Sequence, residues 1–318
     1  MRAIPLLTLL LSGWFVVPAQ ADEAQDWLNR LSQAEQQQSF QGTFVYERNG
    51  SFSTHNIWHR VEDGKVRERL LQLDGSAQEV VRIDGSTQCV SGTLVAGLGA
   101  TPDSAKRALD PQKLKSWYDL AVIGKSRVAG RSAVIVSLTP RDQHRYGFEL
   151  HLDKETGLPL KSLLLNDKGQ LLERFQFTRL DTRDLPSDAE LQASADCKPL
   201  VLDNDKPTTV KTTQAWHSDW LPPGFELISS GAHKDPETKA QVSNLMYDDG
   251  LARFSVFLEP LNGAVVTDTR TQLGPTVAVS RRLTTPDGEM MVTVVGEIPI
   301  GTAERIALSM RTDATAKQ

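Results

Sequence analysis

The chain has 318 residues, of which 39% are hydrophobic and 24% charged, with 16 Pro and 22 Gly. This composition is typical of a globular protein and excludes a disordered, collagen-like or coiled-coil chain. The formal net charge of −5 excludes the strong positive field that nucleic-acid-binding proteins use. At roughly 150 residues per domain the length predicts about two domains, with one large all-β domain as the alternative.

The first 21 residues are typical of a secretory signal peptide. Met1-Arg2 gives a positive start, and residues 4–17 form a mostly apolar run that is shorter than the roughly 20 residues of a membrane-spanning helix. Ala19-Gln20-Ala21 is a small-x-small cleavage site, which places the predicted cut between Ala21 and Asp22. We therefore expect a soluble, exported mature chain.

The chain has two cysteines, Cys89 and Cys197. In an oxidising compartment two thiols either form a disulfide or stay apart as two small buried apolar groups. The export signal favours the disulfide and leaves both readings open. No Cys-x-x-Cys is present, which argues against a redox enzyme.

The mature chain is predicted to begin with an amphipathic helix over residues 22–38, because Trp27, Leu28 and Leu31 follow a 3.6-residue period. Short strand-like runs follow, and four turn dipeptides separate them: Asn49-Gly50, Asp63-Gly64, Asp74-Gly75 and Asp84-Gly85. Such dipeptides accept a positive φ at both centres of a tight hairpin turn, so they predict an antiparallel meander. The predicted strands are residues 40–48, 52–61, 66–73, 78–83 and 88–95.

A helical interruption is predicted over residues 104–109 and 111–120, after which the meander resumes. Thr156-Gly157 and Lys168-Gly169 mark two of its turns. The later strands are predicted at residues 121–128, 133–139, 145–152, 158–165 and 171–180. About ten antiparallel strands predict a complete or open barrel with helices covering one opening.

Residues 186–213 are predicted to be an interdomain linker, ordered in part near Cys197, because Asp, Lys, Pro, Thr and Ser dominate them. They separate an N-terminal domain, residues 22–185, from a smaller C-terminal α+β domain, residues 214–318. Strands of the second domain are predicted at residues 225–228, 242–247, 252–258, 277–283 and 291–295. A last helix is predicted to be capped by Thr302 and to carry the apolar stripe Ala303, Ile306, Ala307 and Met310.

His55 and His59 are the strongest metal-site candidates, because two histidines four residues apart on a helix can bind one zinc ion. They lie in a strand pattern, however, where residues four apart are separated by about 13 Å. We therefore interpret them as two histidines on one face of a strand. Nucleotide-binding loops and hydrolase elbows are absent from the sequence, which predicts no enzyme, cofactor or metal. A secreted hydrolase with dispersed catalytic groups stays open.

The interior of a half-barrel can hold an apolar ligand. The candidate lipid groove consists of apolar side chains and two arginines able to meet phosphates: Phe44, Tyr46, Trp58, Leu71, Leu73, Trp117, Arg67 and Arg82. The alternative for the apolar residues is core packing, and for the arginines it is solvation or pairing with acids on neighbouring strands.

Six stretches carry information beyond their pattern. In the first domain they are residues 40–48 (FQGTFVYER), 69–75 with 79–82, and 156–162 (TGLPLKS); in the second they are residues 221–225 (LPPGF), 249–259 (DGLARFSVFLE) and 292–299 (VTVVGEIP). They resemble the RseB/MucB family of periplasmic sigma-factor regulators, in order and over nearly all of the mature chain. The resemblance implies an N-terminal domain like the lipoprotein-carrier fold, an unclosed β-barrel plugged by helices, followed by a small α+β domain.

The resemblance also implies a function. Proteins of this family bind the periplasmic domain of a membrane-anchored anti-sigma factor and protect it from the site-1 protease, and lipopolysaccharide or the acyl chains of mislocalised lipoprotein release it. We expect the anti-sigma contact on the C-terminal domain and the interdomain cleft, at Tyr247, Leu251, Phe254 and Phe257, whose alternative role is core packing. A periplasmic lipid or lipoprotein carrier is the alternative function, and the sequence leaves self-association open.

Overall fold

The computed structural model describes residues 19–76, 78–91, 109–199, 216–235, 239–286 and 288–312. These residues form two antiparallel sheets with helices packed on them and one short two-stranded ribbon. Several predictions lie outside the described residues: most of the signal peptide, the end of the strand at 88–95, the helix at 104–108 and residues 200–213. No helix in the described part of the chain is long and apolar enough to cross a membrane.

The first domain begins with helix α1 (Ala19–Gln37), and five strands follow it: β1 (Phe40–Arg48), β2 (Ser51–Glu62), β3 (Lys65–Gln72), β4 (Glu79–Ile83) and β5 (Ser86–Val90). Three predicted turns, Asn49-Gly50, Asp63-Gly64 and Asp84-Gly85, have a positive φ at both residues. This is the geometry that matches the twist of the flanking strands. The fourth dipeptide belongs instead to a longer connection, closed by a 2.8 Å hydrogen bond from the Gln72 N–H to the Gln78 carbonyl.

The second half of the domain corrects the prediction of a helix over residues 111–120. Helix α2 (Pro111–Leu114) is one turn long and is capped by the Asp110 carboxylate. Tyr118 and Leu120 are buried at alternate positions, so they begin a strand rather than continue a helix. The remaining strands are β6 (Tyr118–Val128), β7 (Arg131–Pro140), β8 (Gly147–Asp153), β9 (Pro159–Leu165), β10 (Leu171–Asp181) and β11 (Lys198–Pro199).

Eleven strands form one unclosed antiparallel sheet in the order β11-β5-β4-β3-β2-β1-β10-β9-β8-β7-β6. The sheet curls, so that Val128 of β6 joins Phe44 of β1 and Phe177 of β10 in one apolar cluster with Ala34 of α1. A second cluster packs the same helix on β6, β7 and β8. We call the face that carries Phe44 and α1 the inner face. The open, mainly β architecture agrees with the expected fold class.

Residues 186–199 lie against the first sheet, although the sequence interpretation assigned them to the linker. Cys197 forms a disulfide with Cys89 of β5, and β11 pairs with the same strand. The Asp188 carboxylate lies 2.6 Å from Arg60 of β2. Polar composition alone indicated a linker, because the partners that hold this segment are far away in the sequence. We call residues 186–197 the strap.

The second domain is a six-stranded sheet in the order β13-β14-β15-β18-β17-β16, with one helix on it. Its elements are β12 (Trp216–Ser218), β13 (Glu226–Lys234), β14 (Gln241–Asp248), β15 (Arg253–Pro260), β16 (Thr269–Leu273), β17 (Thr276–Thr285), β18 (Gly288–Gly296), α3 (Ile300–Ser309) and β19 (Met310–Thr312). The sequence missed the edge strand β16, because all five of its residues are exposed and show no apolar alternation.

Helix α3 has the predicted apolar stripe but a different beginning. Pro299 occupies the N-cap position without a side-chain cap bond, so the predicted capping role of Thr302 is wrong. Thr302 is buried one turn further along the helix. Met310 lies just past the helix, and its side chain still packs with Ile306 against the sheet.

Candidate functional site

The two domains meet at a buried ion pair. Arg145 lies in the β7–β8 connection of the first domain, and Asp249 lies in the β14–β15 turn of the second. Both side chains are 0% exposed, and Arg145 Nη1 is 2.6 Å from Asp249 Oδ2. A buried charge is tolerated only when it is paired and its hydrogen bonds are satisfied. Both charges therefore stay buried and paired only while the two domains are in contact.

The Arg145 guanidinium uses its fork to bind both domains. Nη2 donates to Asp142 of its own loop at 3.0 Å and to the Pro223 carbonyl of the second domain at 2.5 Å. Three ring centroids lie within 5.6 Å of it, those of Trp117, Tyr118 and Phe225. A planar, always charged group with several donors suits this position, and a lysine ammonium does not reproduce it.

Asp249 is held by its own turn as well as by Arg145. Its Oδ1 accepts hydrogen bonds from the backbone N–H groups of Leu251 at 2.9 Å and Ala252 at 2.7 Å. The Tyr118 hydroxyl donates to Oδ2 at 3.4 Å. Burial raises the pKa of the Asp249 carboxyl, and the two amides and Arg145 oppose that rise. The turn thus presents a fixed carboxylate to the first domain.

Further contacts surround this pair, and together they form what we call the joint. The Trp117 indole lies so close to Gly224, which has φ 88°, that a Cβ at that position would collide with it. The Tyr146 hydroxyl donates to the Ile298 carbonyl at 3.1 Å. Leu251 packs against the apolar cluster of the first domain. The joint therefore contains both Trp117, which was predicted to line the lipid groove, and Leu251, which was predicted to contact the anti-sigma factor.

Three of the predicted lipid-groove residues lie on the inner face of the first sheet. Phe44 pairs in register with His55, Tyr46 with Ser53, and Arg82 with Glu68. The Phe44 ring is 4.7 Å from that of Phe175, and the Tyr46 hydroxyl donates to Glu173 at 2.5 Å. Arg82 pairs with Glu68 at 2.9 Å, so its charge already has a partner in this structure.

The other predicted groove residues are not brought to that face. Trp58, Leu71 and Arg67 lie on the outer face, one residue out of step with inner-face neighbours, because successive side chains of a strand point to opposite sides. There Arg67 binds Asp188 of the strap at 2.7 Å. Leu73 follows the end of β3 and is 47% exposed. Trp117 lies in the joint.

His55 and His59 are both buried on the inner face, in agreement with their interpretation as strand residues. Their rings stack on Phe44 at 5.0 Å and on Phe40 at 4.8 Å, respectively. Burial lowers the pKa of His55 below its ordinary value. No cluster of His, Cys, Asp or Glu able to hold a metal ion occurs among the described residues.

The predicted anti-sigma residues also divide. Tyr247 is 3% exposed and Phe254 is 1% exposed, and their rings stack at 5.0 Å in the core of the second domain. A partner therefore reaches these two side chains only if that core opens. Phe257 is half-buried on the sheet face opposite α3, in register with Asn244 and Thr293. The Asn244 Oδ1 atom beside it is buried and has no hydrogen-bond partner among the described residues.

Comparison with known families accounts for both halves of the chain. The MucB/RseB N-terminal domain matches residues 23–195, and the MucB/RseB C-terminal domain matches residues 210–311. The chain belongs to the MucB/RseB family. The matched ranges fall on the two sheets, with the strap in the N-terminal match up to residue 195.

The chain is also closely similar to individual members of the MucB/RseB family. It is 62% identical over 323 residues to the sigma factor AlgU regulatory protein MucB of Pseudomonas aeruginosa, with 100% of both chains covered. A crystal structure of MucB in complex with MucA(peri) superposes with a TM-score of 0.81 at 63% identity, covering 92% of this chain and 100% of that one. A crystal structure of MucB gives 0.68 at 60% identity, covering 92% and 98%.

Proposed function

We propose that this chain is a non-enzymatic periplasmic regulator that binds the periplasmic segment of a membrane-anchored anti-sigma factor of the MucA kind and protects that segment from regulated proteolysis. The observation that carries the proposal is the 62% identity to MucB over the whole of both chains. The predicted signal peptide supports delivery to the periplasm. Control of an AlgU-like sigma factor then follows from the fate of the anti-sigma segment.

The segment is proposed to contact the second domain on the face opposite α3, around Phe257. That face carries a half-buried aromatic ring beside Asn244 Oδ1, which has no hydrogen-bond partner in the described part of the chain. Aromatic anchors in desolvated positions dominate the binding energy of interfaces, and an unpartnered buried acceptor gains from a new donor. Leu251 belongs to the joint and is kept as part of the proposed site. Tyr247 and Phe254 lie in the core beneath the sheet and support the face that carries Phe257.

Titration calorimetry of the mature chain with MucA(peri) tests this proposal. We expect saturable binding with a Kd of about 1 μM or tighter. Phe257→Ala should weaken binding about tenfold. Leu308→Ala is the matched control, because Leu308 is 55% exposed on α3, on the other side of the same domain. A cooperatively folded chain that does not bind MucA(peri), or the corresponding segment from its own genome, would contradict the proposed function.

Release by lipid is the second element of the proposal. The inner face of the first sheet carries the half-buried side chains of Phe175 and Leu70 next to the buried ring of Phe44. Lipopolysaccharide or a lipoprotein acyl chain on this face would oppose the anti-sigma segment if each prefers a different conformation, and the coupling free energy is the same in both directions. A lipid without such a preference shifts nothing.

Adjacent leucines of β3 allow a sharp test of that element. Leu70 lies on the inner face and Leu71 on the outer face, and both are half-buried. Lipid A titrated into the complex with MucA(peri) should raise the apparent Kd of the segment. Leu70→Ser should reduce that effect, whereas Leu71→Ser should leave it unchanged. Lipid binding without any change in segment affinity would favour the alternative function, a lipid or lipoprotein carrier.

A further inference from the structure

The two structures of relatives differ in their similarity to this chain. The TM-score is 0.81 with MucB in complex with MucA(peri) and 0.68 with MucB, although each alignment covers 92% of this chain at 63% and 60% identity. Because both alignments cover the same share of this chain, the lower TM-score means that the aligned backbone positions of MucB superpose less well on it. Backbones of this family therefore occur in at least two arrangements, and this chain is nearer to the first.

The joint contains the strongest described contact that holds this arrangement. Arg145 belongs to the first domain, yet it neutralises Asp249 and binds the Pro223 carbonyl of the second. Without it, Asp249 stays buried as an unpaired carboxylate, which costs more free energy than the pair itself contributes. The alternative is hydration of Asp249, and water reaches that side chain only if the domains move apart.

The other polar contacts between the domains are more exposed or join neutral groups. Arg48 and Glu297 lie 3.2 Å apart with side chains 29% and 49% exposed, and ion pairs of this kind contribute little in solvent. The hydrogen bond between His144 Nδ1 and Thr302 Oγ1 is 3.1 Å long. It joins two neutral groups, because burial lowers the pKa of His144. Arg145 is thus the residue whose loss changes the joint most.

We infer that Arg145 is a positioning residue for the anti-sigma segment: it holds the two domains in the arrangement that binds the segment without itself serving as the contact surface. The inference rests on the proposed function, because it concerns the affinity for the same partner. If the binding-competent arrangement falls from nearly all molecules to about a tenth, the apparent affinity falls about tenfold.

A second buried ion pair provides the matched control. Arg131 and Asp153 lie 2.8 Å apart, and the Asp153 side chain is 1% exposed, but both residues belong to the first domain. Arg131→Gln and Arg145→Gln each leave a buried carboxylate without its arginine, so both should lower the stability of the fold. The arrangement of the domains should change in Arg145→Gln alone.

The experiment measures arrangement and affinity in the same full-length mature chain. Spin labels at Lys125→Cys and Thr271→Cys, two exposed positions on different domains, report the interdomain distance by pulsed electron paramagnetic resonance. We expect Arg145→Gln to broaden or shift the distance distribution and to weaken MucA(peri) binding about tenfold. Arg131→Gln should retain the wild-type distribution and affinity.

Further outcomes separate this inference from the proposed function. Arg145→Lys keeps a charge for Asp249 but loses the fork to Asp142 and Pro223, so an intermediate distribution and affinity are expected, and this variant decides the matter if Arg145→Gln does not fold. An unchanged distance distribution in both variants would overturn the inference while MucA(peri) binding by the wild type upholds the proposed function. A wild type that does not bind MucA(peri) fails the proposed function, and the affinity inference fails with it.

Discussion

The two sheets of this molecule bury their faces in different ways. The second sheet packs against α3 through one continuous apolar core, in which Val256, Val294 and Ile306 are all 0% exposed. The first sheet has nearly twice as many strands, two separate apolar clusters and buried titratable groups such as His55. The second domain is therefore stabilised mainly by one packed core, whereas the first also depends on a disulfide.

The largest expected effect comes from truncating the packed core of the second domain. Phe254→Ala should lower the free energy of unfolding by about 3–5 kcal/mol, because it leaves a cavity among fully buried neighbours. Phe257→Ala, on the half-buried face of the same strand, should cost about 1 kcal/mol. Urea denaturation of both variants measures this contrast, and equal losses would show that the two faces of the sheet are packed alike.

Removing the disulfide should affect the first domain and leave the second unchanged. Cys89→Ala with Cys197→Ala opens a loop with a sequence separation of 108 and should cost about 2–4 kcal/mol. Hydrogen exchange followed by mass spectrometry should show faster exchange in β4, β5 and the strap. Faster exchange in the core of the second domain would contradict this expectation.

The stability of the first domain should decrease as the pH falls, because His55 is buried. Burial lowers the pKa of His55 below its ordinary value of 6.5, so the unfolded chain binds the proton first as the pH falls through that value. The contribution of His55 is complete above pH 6.5 and is lost below it. Thermal unfolding of His55→Gln between pH 7.5 and 5 should therefore show a smaller decrease than the wild type does. His233→Gln, on the exposed strand β13, serves as the control and should follow the wild type.

The smallest expected effect is a gain at the β6–β7 turn. Ala129 has φ 49° and Gly130 has φ 77°, a conformation that disfavours alanine and suits asparagine. Ala129→Asn should raise the free energy of unfolding by about 0.5 kcal/mol, measured by urea denaturation. The gain is limited because Ala129 also packs partly against the apolar cluster of the first domain. A loss of stability would mean that this packing outweighs the backbone preference.

The sequence predicted local structure correctly where one short segment determines the backbone conformation. Asn49-Gly50 and two Asp-Gly dipeptides predicted their turns because the backbone preference is intrinsic to those residues. The turn at Ala129-Gly130 gave no such signal. The alternation of β2 also showed that Trp58 and His59 face opposite ways, although grouping residues by hydrophobicity alone placed Trp58 in the groove.

The sequence did not predict features that depend on partners far away along the chain. Arg145 and Asp249 are 104 positions apart, and Asp249 gives no signal of its own because Asp is common in turns for backbone reasons. The strap had the composition of a linker, and only its disulfide and its ion pairs with β2 and β3 place it on the first sheet. Long-range pairing, rather than propensity, decides both cases.

The protection of the anti-sigma segment is the most direct test of the proposed function. We would measure the rate at which the site-1 protease cleaves MucA(peri) with and without an excess of the mature chain, using Arg145→Gln and Arg131→Gln for comparison. The wild type and Arg131→Gln should slow cleavage strongly, and Arg145→Gln should slow it less. An unchanged cleavage rate in the presence of a folded wild-type chain at saturating concentration would contradict the account.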